Sequence, residues 1–489
     1  MGPFFWIRRL AGLPFMSVAI PPLQAADLPD RRLPFWRMTG PGAVLVGLSI
    51  GAGEIVVWPH ITARFGSMMI WAAALGVFVQ LWVNLEVGRW TIATGESSYT
   101  GFCRLWRFYA HIFIFLNVSG WLLPGWARTS GTALKALILG PDHGSPDWFW
   151  TGLTFVGVAV VLLGPRRVYV AVERTVGTLV VVVVLGLIFV AVRVGTWETV
   201  REFFRGLTGF RYAFDESFTI KDLFSAVVFA GAGGTANLFY AYYLRDKHIG
   251  MGGRIPMLLN PFRGRAEKAV QAGYVFSETE DNRRRFRDWF TFVALDQTLY
   301  FWLLNTFTIF LFIFGALAVL HPQGIVPQQG RLIYDEAAVL AESMGLFGRR
   351  LFLVIGVATL FSTQVTLVDG VARSMADIFS TSFAFGRRYS QAGWYIGVAI
   401  FIMVFGTWLT GVLEARGISD LGFLFNAAYM GGFAMALYTP LLLWMNLRHL
   451  PRLARPGPLN ILMMVAASAV YVGFAVFCAI YEIQSRWGG

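Results

Sequence analysis

Glu54 stands in the middle of a long apolar run, about residues 43–71, with Gly51 and Gly53 just before it. A carboxylate at bilayer depth costs about 2.5–3.5 kcal/mol on insertion scales. A Gly in a helix interior costs roughly 1 kcal/mol relative to Ala. Irregular backbone at that depth is tolerated only where it is buried in protein or lines a wet cavity. A second stretch has the same form: Ala230-Gly231-Ala232-Gly233-Gly234-Thr235-Ala236-Asn237 interrupts another apolar run, and Gly-Ala-Gly recurs at 51–53 and 231–233. Paired broken helices in two halves of a chain point to a transporter's binding site. The chemistry on offer is hard-oxygen coordination. Freed carbonyls around Gly51, Ala52 and Gly53 and around Gly231, Gly233, Gly234 and Thr235 would join the Glu54 carboxylate and the Asn237 amide. Such ligands favour Mg, Mn or Ca over soft metals, and Glu54 and Asn237 are the expected metal ligands.

Other polar residues fall inside apolar runs. His60 lies one to two turns beyond Glu54, as a gate or late ligand. Glu86 and Arg89 close the second run and are expected at the surface. Arg128 and Lys135 need a carboxylate at their depth, and Glu54 is the candidate partner. Asp369, Arg373 and Asp377 are spaced i, i+4, i+8, which puts them on one helical face as a self-neutralising ladder. Asp296, Asn305 and Asn426 are weaker candidates.

These residues need a membrane-spanning frame. Of 489 residues 56% are hydrophobic and 14% charged, against about 25% charged in soluble domains. The class is therefore polytopic membrane protein. The net charge of +12 fits loop arginines facing anionic lipid rather than nucleic acid. The two cysteines, Cys103 and Cys478, imply neither a disulfide framework nor a thiolate metal site.

Runs long enough to cross a core of about 30 Å fall at about 41–66, 67–92, 108–135, 148–165, 168–195, 219–244, 288–320, 348–379, 391–414, 420–446 and 458–484. Arginines concentrate in alternate connections, which places the amino terminus in the cytoplasm and the carboxyl terminus outside. Arg far outnumbers Lys, as in a GC-rich bacterial genome, so a bacterial inner membrane is expected. The long loop 245–287 is cytoplasmic, and Arg283, Arg284, Arg285 and Arg287 are expected to meet lipid headgroups. Residues 1–37 form a cytoplasmic arm. Its Arg8-Arg9 pair, apolar 10–20 stretch and Gln24-Ala25-Ala26 only imitate a signal peptide, because Pro14 and Pro21-Pro22 interrupt it. The core is 38–447, and 448–489 adds one helix.

Several motifs resemble the Nramp (natural resistance-associated macrophage protein) family of divalent-metal transporters. They are Gly40-Pro41-Gly42, the break at 51–54, Ala63-Arg64-Phe65-Gly66 leading to Trp71, Ala93-Thr94-Gly95, Arg166-Arg167, Asn237-Leu238-Phe239 and Ser362-Thr363-Gln364. The resemblance runs over about 40–445. It implies an all-α LeuT-like fold with two inverted five-helix repeats, about 41–195 and 219–446, plus one extra helix. Independently of the resemblance, His60, Glu86, Arg128, Gln364, Asp369 and Arg373 are the coupling or gating candidates. This chain departs from the family at the site. The family's first break reads Asp-Pro-Gly-Asn, where Gly51 and Glu54 stand at the ligand positions. Its second reads Met-Pro-His-Asn, where this chain has Gly234, Thr235, Ala236 and Asn237. Gly125 and Arg128 replace acidic proton-pathway residues.

The expected function is transport of a hard divalent cation such as Mg or Mn through a midplane site at the two breaks, without stoichiometric proton co-transport. A small organic solute on the same scaffold is the alternative, with Glu54 binding an ammonium or Arg128 a carboxylate. A non-transporting membrane sensor is a third. No enzymatic chemistry, resident cofactor or nucleic-acid partner is expected; the partners are membrane lipids and the substrate.

Overall fold

Backbone groups in lipid must find their partners within the same segment, so long apolar runs fold as helices. A computed structural model describes residues 18–31, 34–51, 53–212, 218–260, 272–327, 331–417 and 420–487. Among these residues nine helices are long and apolar enough to span a bilayer, and a shorter apolar helix covers Asp147–Leu163. The sixth apolar run is split into Ile220–Val228, a 3-10 turn at Gly234–Phe239 and Tyr240–Asp246. Together they occupy the eleven expected runs.

Burial sorts the spans. The apolar window of span one, Pro41–Phe65, is 94% buried, whereas those of span five, Val168–Val194, and span eleven, Pro458–Gln484, are 28% buried. Span one is therefore the central element, and five and eleven turn their side chains outward. Val192, Val404 and Leu462 lie well exposed on outer faces, the pattern of a lipid-facing surface. The chain is an integral membrane protein.

Interruptions sit where local chemistry demands them. Pro124 separates the two helices of span three, Tyr109–Trp121 and Gly125–Ile138, since proline cannot continue a helical hydrogen-bond ladder. Span eight, Ala338–Ser382, bends at Gly345, whose φ of 58° lies in the left-handed region that glycine adopts without steric cost.

The arm is folded onto the core. Gln24–Ala25 pairs in parallel with Tyr274–Val275. The Leu28 amide donates to Asn282 Oδ1 at 3.1 Å, and Trp289 Nε1 donates to the Pro29 carbonyl at 2.7 Å. Arg285, expected at lipid headgroups, instead pairs with Asp30 at 2.7 Å. The Asp27 carboxyl is held below the usual carboxylate range by hydrogen bonds from Asn282 and Ser277. The Arg8-Arg9 pair lies outside the described residues.

Candidate functional site

Span one stops as an α-helix at Ser49, turns through Ile50 and Gly51, and resumes as a wide turn at Gly53–Val57 before the helix Trp58–Phe65. Pro59 lies where that wide turn passes into the second helix, and its missing N–H interrupts the helical ladder at the junction. Span six breaks where Gly233 and Gly234 take φ values of 70° and 51°. Both breaks are buried. Gly51 and Gly53 from the first, and Phe229 and Gly231 from the second, line one cavity of about 30 Å³, walled further by Trp121 and Thr363. That volume holds one or two water-sized occupants. A Cβ at Gly53 would collide with the Phe229 carbonyl, so glycine is what lets the two breaks touch. Ala52 lies outside the described residues.

The second break is tied down by neutral side chains. Gln80 of span two, Ile70–Thr94, donates from Nε2 to the Val228 carbonyl at 2.9 Å. Its Oε1 accepts from the Gly233 amide at 3.0 Å and from Asn237 Nδ2 at 3.1 Å. Tyr438 donates to the Gly234 carbonyl at 2.7 Å, and Asn305 Nδ2 donates to the Ala230 carbonyl at 2.9 Å. The Thr235 hydroxyl accepts from Trp121 Nε1 and donates to Asn117 Oδ1, both at 2.8 Å.

The first break is held differently. Thr363 Oγ1 lies 3.3 Å from the carbonyl oxygens of Leu48, Ile50 and Thr359, and 3.5 Å from that of Gly47. Ser362 Oγ is 2.9 Å from the Gly47 oxygen. A hydroxyl has one proton, so it can satisfy only one of these four acceptors fully. The Thr359 oxygen is served by its own helix and by Ser362 at 2.8 Å, and that of Gly47 by Ser362, so it is the Leu48 and Ile50 carbonyls that share the Thr363 proton, beside Gly51 on the cavity wall.

Several expected placements are corrected. Neither Glu54 nor Asn237 lines the cavity. The Glu54 carboxylate is fully buried, and neither oxygen has a hydrogen-bond partner. It meets Thr308 of span seven, but that hydroxyl donates to the Asn305 carbonyl at 3.0 Å. Glu54 does not pair with Arg128. Arg128 reaches the Asp147 carboxylate at 3.1 Å, and Lys135 shares it at 2.5 Å. The first residue of span four neutralises both cations because it sits across from them at the same end of the bundle. Asn237 serves the break itself, through Gln80, and its Oδ1 is buried without a partner.

Glu86 and Arg89 are buried, not at the surface. They pair at 3.0 Å, Asn446 and Asn460 donate to Glu86 at 2.8 and 3.1 Å, and Arg89 stacks over Phe290. The ladder on span eight is also different from the spacing argument. Arg373 pairs with Asp369 at 2.8 Å and with Asp246, at the end of span six, at 2.6 Å. Asp377 turns away, accepting from Ser97 at 2.5 Å and Tyr242 at 3.1 Å, with Arg245 at 3.7 Å. Neighbouring helices offer better donors than the same helix one turn on.

Gln364 faces span four, donating to Thr154 at 3.0 Å. His60 is buried, and its Nδ1 has no partner. Tyr240 donates to Asp296 at 2.8 Å, and Asn426 is exposed. Sequence reasoning missed Gln80, Asn117 and Tyr438. An uncharged amide in an apolar run was the available signal for the first two, since buried polar groups in membranes need partners.

No charged side chain lines the cavity. Among the described residues no three His, Cys, Asp or Glu side chains gather as metal ligands would. What the arrangement offers is backbone and hydroxyl oxygen on one side and aromatic wall on the other.

No family model and no curated protein matches the sequence. Solved structures do match the fold. A mutant of a manganese transporter from Eremococcus coleocola superposes with a TM-score of 0.67 at 12% identity, over 98% of this chain and 92% of that one. The same transporter in complex with an aromatic bis-isothiourea substituted compound gives 0.63 at 12% identity, over 94% and 89%. MhsT in complex with L-phenylalanine gives 0.57 at 15% identity, over 90% and 97%. The chain has the LeuT-like fold, two five-helix repeats with one helix added.

Proposed function

We propose that this chain is a membrane transporter that carries a hard cation, divalent Mg or Mn first, through the cavity between the two breaks. The observation that carries the reading is the convergence of the Leu48 and Ile50 carbonyl oxygens on the single hydroxyl of Thr363 beside Gly51. A cation supplies the missing positive charge to such a cluster, and oxygen ligands of this kind suit hard ions. The cavity volume fits an ion stripped of most of its water. Glu54 follows directly on the lining residue Gly53, so its carboxylate is the closest formal charge along the chain to offset the cation, from behind the wall rather than as a ligand. The fold shared with a manganese transporter supports the same direction. The absence of sulfur and imidazole from the lining favours hard ions over soft ones.

Proton co-transport is left out of the proposal because a guanidinium cannot titrate in this range, and Arg128 holds the position where the resembling family has acids. The direct test is uptake into proteoliposomes loaded with a pH dye. Uptake of Mg or Mn without internal acidification, unaffected by amino acids, supports the reading; acidification that tracks uptake removes its proton-free part. The second reading, a small organic solute, is favoured by the aromatic wall of Trp121, Trp126 and Phe229. Uptake of an amino acid insensitive to divalent ions would establish that reading instead.

A further inference from the structure

A second cavity lies away from the breaks, at the end of the bundle that carries the arm. The helix Ser98–Leu105, the loop after it, the last turn of span ten and residues 19–23 of the arm enclose a cleft of about 580 Å³. Its polar lining is basic: Arg104, Arg107 and His449 face it, and no carboxylate does. Arg104 holds Glu96 through Nε and Nη2, at 2.8 and 2.6 Å, which leaves Nη1 over. Arg107 is exposed and has no carboxylate partner among the described residues. His449 Nε2 is shielded from solvent and has no hydrogen-bond partner. Trp106 lines the cleft, 54% exposed, with its ring against Phe108. The arm wall is pinned on either side: the Val18 amide donates to the Ser382 carbonyl at 2.7 Å, and that of Gln24 to Gly273 at 2.9 Å.

We propose that this cleft binds a phosphate-bearing anion, a phospholipid headgroup or a free phosphate ester. Donors from separate segments converge here, and the one carboxylate in contact with them, Glu96, is already engaged by two nitrogens of Arg104 and by the Gly273 amide. Charge-assisted hydrogen bonds to an oxyanion are the strong way to satisfy them, and the guanidinium fork matches phosphate geometry. The volume exceeds what inorganic phosphate needs and falls in the range of ligand-binding clefts. The exposed Trp106 and Phe108 pair, level with the end of span ten, is the kind of aromatic edge found at a membrane–water interface. An organic group attached to the phosphate would lie against it.

The test uses the full chain purified in a nonionic detergent. Four probes are titrated while the unfolding midpoint is followed: dihexanoylphosphatidylglycerol, dihexanoylphosphatidylcholine, glycerol 3-phosphate and inorganic phosphate. A saturable rise is expected with phosphatidylglycerol and not with phosphatidylcholine. R107Q should weaken that binding by roughly tenfold, the size of one charge-assisted contact, and H449Q should weaken it less, since a neutral imidazole donates an uncharged hydrogen bond, while R388Q, at an exposed arginine elsewhere, leaves it unchanged. If glycerol 3-phosphate produces the shift and competes with the lipid, the ligand is a free phosphate ester; if only phosphatidylglycerol acts, it is a headgroup. No saturable shift with any anionic probe, an equal shift with phosphatidylcholine, or full binding retained in both R107Q and H449Q overturns the proposal. Loss of the transport reading would leave this site untouched, since none of its residues lies at the breaks.

Discussion

The two breaks carry the same Gly-Ala-Gly triplet and are secured in different ways. The second is bound to spans two, three, seven and ten by Gln80, Thr235 with Trp121 and Asn117, Asn305 and Tyr438. The bonds that hold its backbone are all close to 3 Å long, although Asn117 Nδ2, Asn237 Oδ1 and Asn305 Oδ1 are buried without a partner. Among the described residues the first leans on Ser362 and Thr363 of span eight, with the Leu48 and Ile50 carbonyls sharing one hydroxyl, and keeps a Glu54 carboxylate with no hydrogen-bond partner. A backbone whose polar groups are all satisfied is a fixed wall. One with acceptors left over gains free energy from whatever cation supplies the charge. The difference assigns the second break to shape and the first to chemistry.

The comparison breaks most readily at Gln80. Gln80→Leu leaves the Val228 carbonyl, the Gly233 amide and the Asn237 amide short of a partner, at about 1–3 kcal/mol for each buried group left unsatisfied. We expect the largest fall in thermal midpoint of any single change discussed here, together with a smaller folded fraction on size exclusion. An unchanged midpoint would mean the second break is not anchored from span two. Gly53→Ala comes next. Its methyl meets the Phe229 carbonyl, and overpacking of this kind costs about 1–3 kcal/mol. Proteoliposome uptake should fall with it, because the two breaks can no longer close on each other; normal uptake would show that they need not touch.

Thr363→Val removes the hydroxyl while keeping the shape. A loss of about 0.5–1.5 kcal/mol is expected for a buried hydrogen bond, and the midpoint shift produced by Mg or Mn should shrink. A variant with the full cation shift would move the cation away from span eight. The smallest stability effect is expected for Glu54→Gln, below about 1 kcal/mol, since the carboxylate makes no hydrogen bond that could be lost. Divalent uptake should nevertheless drop by roughly tenfold or more if Glu54 offsets the cation's charge, a difference of about 1.4 kcal/mol per decade. Equal uptake in Glu54→Gln and the unaltered chain would confine the chemistry of the first break to its carbonyls.

The location of the two breaks was legible because glycine pairs and a carboxylate are expensive in an apolar helix, and that expense is visible in one dimension. The partners were not. Arg128 demanded a carboxylate, but nothing in the spacing said that Asp147, nineteen residues on, would supply it in place of Glu54. Glu86 and Arg89 read as a surface pair at a helix end until Asn446, Asn460 and Phe290 covered them. Arg285 read as a lipid contact until the arm brought Asp30 to it.

The sequence by itself determined the membrane class, the runs that span, and the two places where the backbone must leave the helix. All of these follow from local free energies: transfer of side chains, and the conformational preferences of glycine and proline. Only the tertiary structure decided which oxygens face the cavity and which carboxylate meets which cation. Those depend on the rotation of each helix about its own axis and on its neighbours, and a single step along the wide turn Gly53–Val57 separates Gly53 on the cavity wall from Glu54 behind it.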